Sequence, residues 1–171
     1  ARSRPEALAV AVDAHAAPDA IFTADTGMST VWLSRLVRLS GTRRLIGSYN
    51  LGSMANAMPQ ALGAQALDKR RQVIAFCGDG GTSEGDFHAA LNFAAVYQAP
   101  AIFFVQNNQY AMSVRLAKQT HAGALAHKAG GYGLPGRLVD GNDAAAVHEG
   151  LSDAVRHARA GGGPTLVEAV T

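Results

Sequence analysis

The sequence has one cysteine, Cys77, in 171 residues, which rules out an internal disulfide and any need for an oxidising compartment. Aromatic residues are scarce at 6%, with a single tryptophan, and charged residues reach only 16%. Charge of one sign is lacking too: 15 Lys+Arg against 13 Asp+Glu leave +2. A pI of about 8.9 resting on so small a surplus is no nucleic-acid footprint. No apolar run is long enough to span a membrane. Arg2 and Arg4 near the start are not followed by the apolar core of a signal peptide. These absences point to a cytoplasmic protein with neither nucleic-acid nor membrane partners. What is present is 48% hydrophobic residues and 19 glycines, enough for one packed domain with many tight turns. Neither a repeat nor an interdomain linker interrupts residues 1–171.

Short apolar runs alternate with longer stretches of helical spacing. The runs Ala20–Ala24, Val73–Cys77, Ala101–Gln106, Arg137–Val139 and Thr165–Val170 read as buried strands, with Arg44–Gly47 a weaker candidate. Helices are expected over Pro5–Ala17, Ser29–Leu39, Asn56–Leu67, Glu84–Tyr97, Ala122–Gly131 and Asp143–Ala160. This alternation predicts an α/β fold: a doubly wound, mostly parallel sheet with helices on both faces. Pro59 suits an early helical turn, where its missing N–H does no harm. Asp143 is placed to cap the last helix, and the Gly161-Gly162-Gly163-Pro164 run ends it. Trp32 falls in a helical stripe with Val31, Leu36 and Leu39, read as core or interface.

In such a sheet ligands bind beyond the carboxyl ends of the strands. Two strand ends are rich in polar residues. Val73–Cys77 runs into Gly78-Asp79-Gly80-Gly81-Thr82-Ser83-Glu84, and Ala101–Gln106 into Asn107-Asn108-Gln109-Tyr110. If the two strands are neighbours, their ends lie about 5 Å apart, so Asp79 and Asn108 share a crevice. A carboxylate, an amide oxygen and a backbone carbonyl form a hard-oxygen set suited to Mg²⁺ or Ca²⁺. The glycines after Asp79 let an anion approach closely, and the following helix start favours it. The spacing therefore reads as a metal-bridged phosphate or diphosphate site; a flavodoxin-like domain for another phosphate ligand would use the same crevice.

Gly78-Asp79-Gly80, then 26 residues to Gln106, then Asn107-Asn108, resembles the thiamine-diphosphate signature. From GTSEGDFHAALNFAAVYQAPAIFFVQNNQYAMSV through KQT, YGLPG, VDGND and GGGPTLVEAVT, the chain resembles the alpha subunit of pyruvate or branched-chain 2-oxo acid dehydrogenase. The earlier half, ADTGMSTVW and RRLIGSYNLGSMANAMPQALGAQALDKRRQVIAFCGDGG, is similar to the quinone-dependent pyruvate dehydrogenase and acetolactate synthase group. The two resemblances meet near Gly78–Gly81, which suggests a recombined, designed or reconstructed diphosphate-binding domain.

The resemblance implies residue roles. Asp79, the Asn108 side chain and the Tyr110 carbonyl match the ligands of Mg²⁺. Backbone N–H groups around Gly78, Gly80 and Gly81 would hold the diphosphate. Gly52, Ser53 and Met54 match the loop under the aminopyrimidine ring, Met54 as the wedge that bends the cofactor. Thr26, Gly27, Met28 and Ser29 could reach the diphosphate, with Ser29 either replacing the polar residue expected at Met28 or capping the next helix. No residue matches a catalytic role. In the resembled enzymes the essential glutamate lies on a separate pyrimidine-binding domain, and a histidine-bearing loop would follow Thr171. The expected partners are thus a 2-oxo acid such as pyruvate, and a pyrimidine-binding domain, subunit or second copy. Alone, the chain is expected to bind better than it catalyses; a non-catalytic scaffold is the competing reading.

Other signals are weaker. Gly131-Tyr132-Gly133-Leu134-Pro135-Gly136 has dinucleotide-type glycine spacing, but it follows a helix and precedes a strand, so it reads as a helix-ending loop. Lys69-Arg70-Arg71 reads as a solvated turn, and Glu84 as a first-turn acid of the crossover helix. The six histidines lack zinc spacing, and His88, on the crossover helix, could approach the cofactor but reads as a surface or half-buried residue. Cys77 reads as a small apolar residue.

Overall fold

The computed structural model describes residues 5–171. Six parallel strands form one sheet: β1 (Ile21–Ala24), β2 (Arg44–Gly47), β3 (Val73–Gly78), β4 (Ala101–Asn107), β7 (Gly136–Asp140) and β8 (Thr165–Val170). Their order is β2-β1-β3-β4-β8-β7. Helices α1 (Pro5–His15), α2 (Met28–Leu36) and α5 (Ala144–Arg159) cover one face. Helices α3 (Ala57–Leu67) and α4 (Gly85–Tyr97) and a 3₁₀ segment, Leu125–Tyr132, cover the other. The expected doubly wound parallel sheet is therefore the fold.

Side-chain alternation along the central strands builds two cores. In β4, Ala101, Phe103 and Val105 face α3 and α4, while Ile102 and Phe104 face α1 and α5. Register pairs Phe76 with Phe104, and their rings stack 4.7 Å apart. Both faces of β3 and β4 are buried, which explains their unbroken apolar runs. The edge strands β2 and β7 are largely exposed, so their signals are weaker in sequence. In α5, Val147, Leu151, Ala154 and Val155 form the buried stripe, and Asp143 caps the start by accepting from Ala145 N–H at 2.9 Å.

Four sequence expectations shift. The crossover helix starts at Gly85, not Glu84, because Asp79–Ser83 forms its own 3₁₀ turn. The expected helix over Ala122–Gly131 is the 3₁₀ segment Leu125–Tyr132, closed by Gly133. A two-stranded antiparallel hairpin, β5 (Tyr110–Ala111) and β6 (Val114–Arg115), adds to the expected strands. The stripe through Trp32 is not the buried one: Leu33 and Val37 enter the core, whereas Val31 and Leu39 are 40% and 48% exposed. Cys77 lies in the α3–α4 core, as expected.

Among the described residues no helix is long and apolar enough to cross a membrane.

Candidate functional site

The chain reverses direction across the sheet between β1 and β3: β2 follows β1 outward on one side, and β3 returns on the other. A crevice opens beyond the strand carboxyl ends at such a point. Four loops meet there, after β1, β2, β3 and β4.

Asp79 follows β3 and is 2% exposed. The β3–β4 register, Gly78 opposite Gln106, brings it alongside Asn107-Asn108. The Asn108 backbone N–H acts on the Asp79 carboxylate and holds its pKa down, so the two polar strand ends adjoin. Gln119 adds a side-chain N–H from Nε2 to Asp79 Oδ2 at 3.2 Å. Burial pushes the Asp79 carboxyl above the usual range; Gln119 and the backbone N–H groups of Asp79 and Asn108 oppose this, while Glu168 adds to it. A divalent cation beside the group would reverse that balance.

Asn108 is exposed, and its Oδ1 accepts Tyr110 N–H at 3.0 Å, leaving a second lone pair free for a cation. Gln119 Oε1 is buried with no hydrogen-bond partner, and its amide already touches Asp79. Among the described residues no three His, Cys, Asp or Glu side chains gather as a metal cluster, so a cation here depends on one carboxylate plus amide and carbonyl oxygens. That is hard-oxygen chemistry, fitted to Mg²⁺ or Ca²⁺.

The glycine turn is packed so closely that side chains are excluded. A Cβ at Gly80 would lie 2.8 Å from Ala111 Cβ, with Met54 Sδ at 3.8 Å. One at Gly81 would lie 2.8 Å from Asp25 Oδ2. Met54, 43% exposed, therefore stands beside Gly80, and the loop after β2 adjoins the glycine turn. Gly52 adjoins Thr26, whose hydroxyl donates to the Ser48 carbonyl at 2.7 Å. Ser53 is exposed in the same loop.

The segment Thr26–Ser29 behaves differently from expectation. Gly27, with φ of 142°, is the residue before α2 and caps it without a side-chain bond. Met28 points outward at 50% exposed, and Ser29 is buried at 4%, so Ser29 does not cap the helix.

Asp25, invisible as a site residue in sequence, organises this corner. It is 3% exposed and accepts N–H groups from Ala55 at 2.6 Å and Ala57 at 2.9 Å. From the turn after β1 it thus caps α3 and holds Ala55 at a φ of 57°. Burial raises its pKa against those two bonds, and the charge of Glu84 raises it further. Glu84 is therefore felt at this corner, although it lies one residue outside α4.

Behind the glycine turn, Lys128 Nζ donates to the Thr82 carbonyl at 2.8 Å. Its pKa is lowered by burial, with Glu168 opposing. His88 is half-buried, with Nδ1 2.7 Å from the Tyr132 hydroxyl. Asp25, Gln119, Lys128 and Glu168 carry no site signal in sequence, because each acts on residues at least 30 positions away.

Residues 29–171 match the family profile described as dehydrogenase E1 component. The chain belongs to that family. Curated E1 relatives include a 3-methyl-2-oxobutanoate dehydrogenase subunit alpha of Mycobacterium tuberculosis, 55% identical over 116 residues. That alignment covers 68% of this chain and 32% of the relative. A pyruvate dehydrogenase E1 component subunit alpha of Staphylococcus aureus is 53% identical over 116 residues, covering 66% of this chain and 31% of the relative. The chain spans about a third of the length of the curated relatives it matches. The E1 match crosses 78–81 without a break, and β3 runs directly into the glycine turn there. A join between two families at that point, with an oxidase-like first half, finds no support.

Proposed function

We propose that this domain binds thiamine diphosphate through Mg²⁺, with Ca²⁺ as a substitute, and forms the diphosphate-holding part of a 2-oxo acid dehydrogenase alpha subunit. The observation that carries this is the meeting of two strand ends: the β3–β4 register sets Gly78 opposite Gln106, so Asp79 and Asn108, 29 residues apart in sequence, come together beside the switch point. The Asp79 carboxylate, the Asn108 amide oxygen and the Tyr110 carbonyl would hold the cation. Backbone N–H groups of Gly80 and Gly81, next to Gly78, would receive the diphosphate. Gly52, Ser53 and Met54 would lie against the pyrimidine, and Thr26 with the Gly27–Ser29 turn would close the diphosphate end. When bound, the group supplies the electron sink for decarboxylating a 2-oxo acid.

The substrate class is a 2-oxo acid, pyruvate or a branched-chain analogue, since one relative's name carries each. Met28, Leu51, Met54 and Met112 are 50%, 89%, 43% and 96% exposed in the loops around the crevice. Apolar side chains at such exposure suit the docking of a pyrimidine-binding domain, on this or a partner subunit. A second apolar surface, Leu67, Phe93, Val96 and Tyr97, lies on α3 and α4 beside a groove of about 510 Å³ and offers room for a second copy.

Titration with thiamine diphosphate tests the reading. Binding is expected to require Mg²⁺ and to weaken at least tenfold in Asp79→Ala. Binding that ignores the metal, or an unaffected variant, would rule it out.

A further inference from the structure

We infer that Glu168 is the positioning residue of the cation seat, acting through Asn107 on the segment that carries Asn108 and Tyr110. The inference rests on the cofactor reading above and deepens it.

Glu168 sits in β8 between Val167 and Ala169 and is 1% exposed. Its neighbours face the α1–α5 core, so strand alternation turns Glu168 to the opposite face, with Leu166. An ionised carboxylate in such a place is costly unless its oxygens are satisfied. No Lys or Arg lies within ion-pair distance among the described residues; the partners are two N–H groups. Oε1 accepts Asn107 Nδ2 at 2.6 Å, and Oε2 accepts Ala126 N–H at 2.7 Å.

The first bond fixes a direction. A carboxylate only accepts, so it holds the Asn107 amide with the nitrogen inward and the oxygen outward. That oxygen accepts Gln109 N–H at 2.8 Å. Gln109 stands at a φ of 68°, a left-handed conformation that a non-glycine residue avoids unless its surroundings impose it. The chain Glu168–Asn107–Gln109 imposes it. Asn108 lies inside this turn, and its own Oδ1 meets Tyr110 N–H at 3.0 Å. Rotation of the Asn107 amide would release the turn and with it the two candidate cation ligands.

The second bond reaches the other wall. Ala126 belongs to the 3₁₀ segment whose Lys128 ties down the Thr82 carbonyl, three residues after Asp79. One buried carboxylate thus braces the amide-bearing loop and, through the 3₁₀ segment, the glycine turn. A hydrophobic residue of similar volume would satisfy the core but could not set either orientation.

Reversing the polarity of the pair tests this. In Glu168→Gln, a side-chain NH₂ faces one of two donors. In Asn107→Asp, two carboxylates face each other. In the double variant the amide nitrogen introduced by Glu168→Gln donates to the carboxylate introduced by Asn107→Asp, every hydrogen bond returns, and net charge is unchanged. Two readouts are taken on the full chain: amide hydrogen exchange of Gln109 and Tyr110 without cofactor, and the Mg²⁺ concentration that half-saturates thiamine diphosphate binding. Each single variant is expected to speed exchange at those two amides at least tenfold and to raise the half-saturating Mg²⁺ at least fivefold, with Phe104 and Val167 amides unchanged. The double variant is expected to return both readouts to within threefold of wild type. Single variants that behave as wild type overturn the inference, as does a double variant that is unfolded or no better than the singles. If a single variant does not fold, the double variant decides by the same criteria. A wild-type chain that binds no cofactor counts against the cofactor reading, while the exchange measurement still decides the role of Glu168.

Discussion

Asp13 and Asp79 are both more than nine-tenths buried, at 6% and 2% exposed, yet their carboxylates meet opposite surroundings. At the amino-terminal edge of the sheet, Asp13 pairs with Arg43 at 2.7 Å and Arg38 at 2.8 Å. Arg43 also donates to the Ala16 and Ala17 carbonyls, so the pair locks α1 to the segment before β2. At the carboxyl-terminal edge, Asp25, Asp79 and Glu168 are equally buried but accept only backbone and amide N–H groups. Among the described residues none of the three has an ion pair. A carboxylate neutralised by guanidinium is a clamp; one left with neutral donors keeps negative charge available to a cation. The difference sets an ion-pair clamp at one end of the strands and the proposed cation seat at the other.

Removing each acid should break that contrast in opposite directions. Asp13→Ala leaves Arg43, whose side chain is 10% exposed, without its carboxylate. Breaking a buried pair from one side costs about 3 kcal/mol. Urea unfolding should show that loss, while cofactor affinity in the surviving folded protein stays as in wild type. Asp79→Asn should do the reverse, with Mg²⁺-dependent binding falling at least tenfold, about 1.4 kcal/mol, and the urea midpoint unchanged or higher. A large loss of stability in Asp79→Asn would place that residue among the clamps.

The pH dependence of stability gives a smaller effect with opposite signs at the two ends. Burial raises the Asp13 pKa, but the bonds and charge of Arg38 and Arg43 outweigh it and the net shift is downward from 3.8. Its contribution is therefore complete above the unfolded value and is lost as pH falls through the lower folded value. Asp25 and Asp79 are shifted upward from 3.8, mainly by burial, so their protonation favours the folded state as pH falls through the raised values. Acid unfolding followed by circular dichroism should show a shallower acid limb in Asp13→Asn. In Asp79→Asn, the stabilising contribution of acid above pH 3.8 should shrink.

The fold is largely legible in sequence because β3 and β4 are buried on both faces and end abruptly in glycine and asparagine. The same abruptness exposes Asp79 and Asn108 as candidates. The hairpin of β5 and β6 is not legible, since two-residue strands carry no period. Ser29 is a good capping residue by type, yet α2 starts at Met28, so Ser29 falls inside the helix and is buried. Asp25 directly follows a strand and Glu168 lies inside one, where an acid is easily read as a surface residue. Only tertiary packing brings their N–H partners from Ala55, Ala57, Asn107 and Ala126.

A crystal structure of the chain grown with Mg²⁺ and thiamine diphosphate is the most direct test of the seat. One cation should sit about 2.1 Å from both the Asp79 carboxylate and the Asn108 amide oxygen, with the diphosphate over Gly80 and Gly81. A cation bound elsewhere, or a diphosphate that leaves Asp79 untouched, would contradict it.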